Sequence, residues 1–360
     1  MNKNRQKQEA ATPKSIRSVS TSNFAQILSQ LGISVVISTY QAGKLIIIRP
    51  DGENLNTHFK AFDEPTGLAV NGPRMAVATD YQVWEYVNMP ALARILEPKE
   101  KHDGCFLPRH MWVTGNIDMH EIAYGKDGIW CVNTRLSCLC TLDHTYNFVP
   151  RWRPHFITHL AFEDRCHMNG LGMVNGVPKY VTALGEANHK EGWRDNKANG
   201  GILMDVETNQ VLRRGLSMPH SPRWYRDKLW LLESGVGTVA TVDPISGEMQ
   251  TVAKLPGFTR GLDFHGKLAF VGLSQVRETA VFSGIPIVEQ KPERNCGVWV
   301  VNIETGNIVA FLKFEEGVEE IFSVQVLPGM KFPEILDEGD KELIASSLTI
   351  PPEAMKDLLQ

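Results

Sequence analysis

The chain carries no CxxC pair, no glycine-rich phosphate loop, no dinucleotide fingerprint, no nucleophile elbow and no EF-hand loop. These absences remove thiolate zinc fingers, nucleotide-triphosphate chemistry and hydride transfer from the first rank of readings. "SGVGTV", after Glu233, contains GxG but sits in a turn between strands. The six cysteines, Cys105, Cys131, Cys138, Cys140, Cys166 and Cys296, lie largely within apolar strands. Reduced core thiols are expected, not a disulfide framework. No apolar run approaches the ~20 residues of a membrane helix. The opening "MNKNRQKQEAATPKSIRSVSTSNF" has no apolar h-region, so a cytoplasmic location is expected. Excess positive charge is also missing: 37 Lys and Arg face 41 Asp and Glu, for a net charge of -4. Neither nucleic acid nor a membrane is expected as a partner. The one basic, aromatic stretch, "RWRPHF" from Arg151, reads as an outer strand.

What the chain does have is a repeat. On the segment "DMHEIAYGKDGIWCVNT" (from Asp118) five others fall into phase. They are "EPTGLAVNGPRMAVATD" (from Glu64), "CHMNGLGMVNGVPKYVTAL" (from Cys166), "MPHSPRWYRDKLWLLES" (from Met218), "FTRGLDFHGKLAFVGLS" (from Phe258) and "IFSVQVLPG" (from Ile321). All but the last hold two apolar strands joined by a tight turn, such as Asp127-Gly128 or Asn175-Gly176. Such pairs favour positive φ and signal a hairpin. A third and a fourth strand follow, the third often ending in "VD" or "LD". Four antiparallel strands per unit, recurring every 40 to 64 residues or so, are propeller blades.

The last segment has only its first strand. Strands two to four of that blade stand at the other end, in "ISVVISTYQAGKLIIIRPDGENLNTHFKAF" (Ile33 to Phe62). The prediction is an all-β, six-bladed β-propeller over 22–350, its ring closed by one C-terminal and three N-terminal strands. Closure removes free sheet edges. "SNFAQILSQLG" predicts a short N-terminal helix capped by Ser22. Residues 1–21 are expected to form a disordered tail and 351–360 a C-terminal tail. Insertions near 89–109, 186–201 and 278–295 exceed the blade pattern.

First strands line the axis of a propeller, and antiparallel alternation returns the chain to one face at every second turn. His120 then stands at one mouth of the channel. In phase with it are Thr66, His167 (or Asn169, two residues later), His220, Arg260, and Ser323 or Gln325. Loops between second and third strands add Asn133, Arg135, Glu186, Glu233, Gln275 and Arg277 to the same face. One histidine at a strand start is ordinarily structural. Three in phase on successive blades predict a metal site, His120, His167 and His220, with one coordination position open. Zinc is the first expectation; copper, iron or nickel also suit imidazole. Glu121, Asn169 or Glu233 would set the imidazole tautomers.

The chemistry expected is that of a metal-dependent lyase or hydrolase acting on a small polar or anionic substrate, or a peptide. Glu233 or Glu186 would be general base and Arg260 an anion clamp. Asn133, Arg135, Asn169, Arg223, Gln275, Arg277 and Gln325 would bind substrate. The competing expectation is a propeller without catalysis that binds a protein, a peptide or a small ligand on its loop-rich face.

"CHMNGLGMVNG", "GLSMPHSPRWY", "LPGFTRGLDFHG" and "VGLSQVRETAVFSGIPI" resemble a bacterial family spread through cyanobacteria and proteobacteria, whose function is not established. The likeness runs from about Ser22 onward. More distantly, the architecture is similar to the gluconolactonase and regucalcin group, the strictosidine-synthase-like proteins and the peptide-amidating lyase. Gluconolactonase-like proteins hold a divalent metal with Glu, Asn and Asp near the axis, where this chain has histidines. The amidating lyase uses histidines around zinc, so the resemblance implies a site nearer to that one.

Overall fold

A computed structural model describes residues 16–276, 283–290, 294–351 and 353–355. Six antiparallel sheets stand in a ring. Blade one takes its inner strand from Ser323–Pro328 and its others from Ile33–Thr39, Lys44–Asp51 and Asn54–Ala61. The remaining inner strands are Leu68–Asn71 (blade two), Met119–Gly125 (three), Met168–Val174 (four), Pro219–Tyr225 (five) and Phe258–His265 (six). Each is followed in order by its second, third and outer strands. The six-bladed propeller with composite closure is therefore the fold.

The burial pattern explains why these residues build blades. The second strand of blade one, Ile33–Thr39, is buried along its whole length, because neighbouring blades cover both faces. Outer strands such as Asn54–Ala61 are half-exposed. A large core joins blades six and one, with Phe270, Val298 and Phe314 packed on Val35, Ile46 and Val326. The helix Phe24–Leu31 buries Phe24 and Leu28 in that seam. It ends at Gly32, whose φ of 66° suits a residue without Cβ. Its N-cap is Asn23, not Ser22, and the Asn23 amide instead reaches the Val309 carbonyl at 2.9 Å.

The turns follow the chemistry their sequences carry. Asn175 and Gly176 take φ of 52° and 73°, and Arg226 and Asp227 take 49° and 57°, as two-residue hairpin turns require. The recurring aspartate after a third strand is a turn cap. Asp243 Oδ1 accepts from the backbone N–H of Ile245 (3.0 Å) and Ser246 (2.7 Å), and Asp143 does the same for Thr145 and Tyr146.

Both ends of the described chain add to the ring. Arg17–Ser20, within the stretch expected to be a tail, pairs as a fifth strand with Ile308–Glu316 of blade six. Pro333–Ile335 pairs in parallel with the outer strand of blade two, Gly104–Val113. That outer strand occupies part of the first insertion, which otherwise holds the helix Pro90–Ala93. The second insertion makes a 3-10 turn, Gly192–Asn196. The third includes the helix Pro286–Gln290; its residues 278–282 and 291–293 lie outside the described residues, as does Arg277. All six cysteines are buried and free, and burial raises the Cys105 and Cys166 thiols to about 12. No helix among the described residues is long and apolar enough to cross a membrane.

Candidate functional site at the axial mouth

Three inner strands begin with the same local device. Asp118, His167 and Met218 have φ of 53°, 49° and 47°, and each precedes by one residue the pair Met119↔Asn133, Met168↔Ala183 or Pro219↔Glu233. Glu64, two residues before Thr66, shares the left-handed conformation at 46°. This backbone marker sets the phase. His120, Asn169 and His220 are equivalent, and His167 occupies the position of Asp118. Of the two registers open in the sequence, the structure takes the one with Asn169.

Both in-phase imidazoles are fixed by carbonyls. His120 Nδ1 lies 3.0 Å from the Asp118 carbonyl and 3.0 Å from Thr134 Oγ1. His220 Nδ1 lies 3.0 Å from the Met218 carbonyl and 2.9 Å from Ser234 Oγ. A carbonyl only accepts, so each Nδ1 carries the proton and each Nε2 presents a lone pair. The hydroxyls also work across the seams between blades. Thr134 Oγ1 donates to the Met168 carbonyl at 2.7 Å and Ser234 Oγ to the Thr259 carbonyl at 2.5 Å. Ser234→Ala removes a staple between blades five and six and one anchor of His220. A loss of about 1–2 kcal/mol is expected, read as a lower urea midpoint; an unchanged midpoint would show that the staple carries no load.

His167 has a different anchor. Its Nδ1 faces both carboxylate oxygens of Asp164, at 3.0 and 2.8 Å, and Asp164 Oδ2 also accepts from Trp193 Nε1 at 2.9 Å. Trp193 comes from the 186–201 insertion and is buried against the His167 ring, 4.5 Å between centroids. It belongs to an apolar cap with Leu184, Met218, Phe258, Ile285 and Ile287, so two insertions are packed together beside the mouth. The rings of His120 and His167 meet edge to face at 4.7 Å, and Phe322 touches His120 at 5.3 Å. Tyr40 lies 6.2 Å beyond Phe322, with its hydroxyl raised to about 12 by burial and by Glu64.

Electrostatics keep the in-phase imidazoles neutral. Burial, helped by His167 and Arg260, lowers His120 to about 4 against the pull of Asp118. Burial and Arg260 also hold His220 well below the usual histidine range. Arg260 donates to Glu320 at 2.8 Å and lies 3.5 Å over the Phe322 ring, so part of its valence is spent within the protein. Among the described residues no three His, Cys, Asp or Glu side chains form a ready metal-ligand set.

Residues 22–336 match the model of a domain of unknown function, DUF4915. The chain belongs to that family. No curated protein matches it. A chain from the nidogen/laminin complex is similar at 11% identity, covering 82% of this chain and 99% of that one with a TM-score of 0.50. This likeness shows the propeller fold and nothing beyond it. A protein of unknown function from Bacteroides caccae shares 10% identity over 82% of this chain and 98% of its own, with a TM-score of 0.48.

The other expected site residues of this DUF4915 chain are spread more widely. Glu186 is held by Arg214 of an outer strand, at 2.7 and 3.1 Å, away from the axis. Glu233 Oε1 accepts from the Ser217 backbone at 3.1 Å. Asn133 caps its own turn through the Leu136 N–H at 2.9 Å. Arg135 is exposed beside Asp118, and Gln275 is half-buried with its N–H on the Glu319 carbonyl. Arg223 and Gln325 belong to the opposite end of the channel. Cavities of about 610 and 380 Å³ lie there, sharing Asp263 and Gln325, the second also lined by Glu121 and Arg223. Their charged groups are already matched: Arg223 pairs with Glu121 and donates to the carbonyls of Leu262, Leu171 and Pro222. Asp263 accepts the N–H of Val326 and Phe264.

The histidine mouth is the opposite case. Asn169 Nδ2 and Thr66 Oγ1, on side chains 3% and 5% exposed, have no hydrogen-bond partner among the described residues. The Nε2 atoms of His120, His167 and His220 have no partner among the described residues. Sequence reasoning missed Asp118, Asp164, Trp193, Glu320 and Phe322; the first two were legible as carboxylates within three residues of a candidate histidine.

Proposed function

We propose that the axial mouth of this DUF4915 propeller binds a small polar molecule and that the Asp164–His167 pair moves a proton on it, in lyase or hydrolase fashion. The observation that carries the reading is the set of unmet hydrogen-bonding groups on inner strands of neighbouring blades. Two of them, Asn169 Nδ2 and Thr66 Oγ1, are buried, and a buried polar group without a partner calls for an explanation. A carboxylate on Nδ1 orients the His167 ring, the arrangement of a side chain that takes or gives a proton at its other nitrogen. His120 and His220, kept neutral, are acceptors for the bound molecule.

The test is a small-molecule screen of the full chain, read by side-chain ¹⁵N resonances of histidine. Binders are expected to move the Nε2 resonances of His120, His167 and His220. Binding is expected to weaken roughly tenfold in His220→Ala, the effect of one lost hydrogen bond to a desolvated group. Binders that leave all three resonances in place would overturn the proposal.

A second reading, a divalent transition metal held by the three imidazoles with zinc foremost, is favoured by one fact: in these three the Nδ1 is tied and the Nε2 has no partner among the described residues, as ligating histidines require. The rings would have to turn toward a common point to hold it. Stoichiometric metal in untagged protein, lost in His120→Ala, would support this reading; its absence from metal-supplemented protein would retire it.

A further inference from the structure

Resting on that reading of the mouth, we infer that its ligand is an uncharged, polyhydroxylated molecule, a sugar or a cyclic polyol. The bonding groups present are of both kinds. His120 and His220 offer Nε2 lone pairs that only accept, while Asn169 offers an amide N–H that only donates, its oxygen already accepting from Thr182 Oγ1 at 2.7 Å. Thr66 can do either. An ammonium group has no lone pair for Asn169, and a carboxylate has no proton for the imidazoles. Adjacent hydroxyl groups satisfy both, because each donates once and accepts twice.

Charge points the same way. The guanidinium of Arg260 is matched by Glu320, and Asp118, Asp164 and Glu64 lie around the same mouth, opposed by Arg135. An anion would meet a surplus of carboxylates. A cation would sit beside Arg260, already close enough to push both imidazoles toward neutrality. The rings of Tyr40, Phe322, His120, His167 and Trp193 form an arc, each in contact with the next at 6.2, 5.3, 4.7 and 4.5 Å, and Tyr40, 38% exposed at its end, offers apolar surface to the C–H groups of a ring.

The test titrates the full chain with glucose, mannose, galactose and myo-inositol, and with glucosamine and glucuronate as charged counterparts. Affinity is measured calorimetrically and the histidine resonances report the place. At least one neutral probe is expected to bind at the mouth, about tenfold tighter than either charged probe, and to weaken roughly tenfold in Asn169→Leu. Thr66→Val, a near-isosteric change, guards against misfolding of the first variant and is expected to weaken binding several-fold. If glucosamine or glucuronate binds tighter while moving the same resonances, the neutral class is wrong and the site stands. If no probe moves them while other small polar molecules do, the class is again overturned. If binding occurs without any change at the mouth histidines, both the class and the site fail.

Discussion

Arg223→Met is expected to destabilise the protein by about 4 kcal/mol, more than any other single change at the axis. The guanidinium is 17% exposed and the partner carboxylate of Glu121 8%. Arg223 belongs to blade five, yet it donates to Leu262 of blade six at 3.0 Å and to Leu171 of blade four at 3.1 Å, and it pairs with Glu121 of blade three. Glu121 in turn accepts from the Leu171 N–H at 3.1 Å. Four blades thus meet on one ion pair. Removing the cation leaves a carboxylate in low dielectric with one backbone donor, the situation that makes half-broken buried pairs costly. A second change, Glu121→Gln on the Arg223→Met background, is expected to recover about half of the loss, because no charge is then stranded while the carbonyls of Leu262 and Leu171 still lack their donor. Urea midpoints of the two single variants and the double variant decide it. A loss below about 1 kcal/mol for Arg223→Met would mean that the blades hold together without this pair.

The fold was legible because propeller blades write themselves into sequence twice, once as turn chemistry and once as a repeat. Asn175-Gly176 and Asp127-Gly128 fixed the hairpins, and "VD" before "PISGE" reports the carboxylate that caps the turn. The composite blade was visible because the segment from Ile321 holds a lone inner strand while Ile33 begins three strands without one. What lay outside the repeat could not be read. Arg17–Ser20 is a polar four-residue strand whose partner is about 290 positions away. The 186–201 insertion is polar and glycine-rich, and nothing in its composition shows that Trp193 turns back to close over His167.

The site was half legible for a geometric reason. In "CHMNG" a histidine and an asparagine stand two apart, and a two-residue slip preserves which face of a strand a side chain takes. Only the left-handed residue ahead of each strand distinguishes the registers, and φ is not written in the letters His167 or Met218. The placement of the carboxylates was hidden for the opposite reason. Glu186 sits in the right loop, but Arg214 on the outer strand draws it away from the axis, and that partner belongs to a different level of the blade.

Acid should open the composite closure first, and Glu334 is the group through which it acts. This carboxylate follows the C-terminal inner strand and faces side chains of the N-terminal strands: His58 Nε2 at 2.7 Å, Lys60 Nζ at 3.2 Å and Arg49 Nη1 at 3.7 Å, with His102 Nε2 at 3.7 Å. Asp337 and Asp340 share Lys60 at 3.8 and 3.2 Å. Although burial alone would raise it, the hydrogen bond and charge of His58, with Lys60 and the Ile335 N–H, lower Glu334 to about 2. A carboxylate lowered by folding adds stability that is complete above its unfolded value near 4.5 and drains away as pH falls toward 2. With its side chain 13% exposed, the contribution at neutral pH is about 3 kcal/mol. Glu334→Gln is therefore expected to be less stable than the wild type by about that amount at pH 7, by less at pH 4, and by little at pH 2, where the folded wild-type carboxyl is about half protonated. Denaturation curves at the three pH values, followed by tryptophan fluorescence, test the sign as well as the size. A deficit that stays constant with pH would assign the loss to packing, and a variant as stable as the wild type at pH 7 would release the two ends of the chain from this contact.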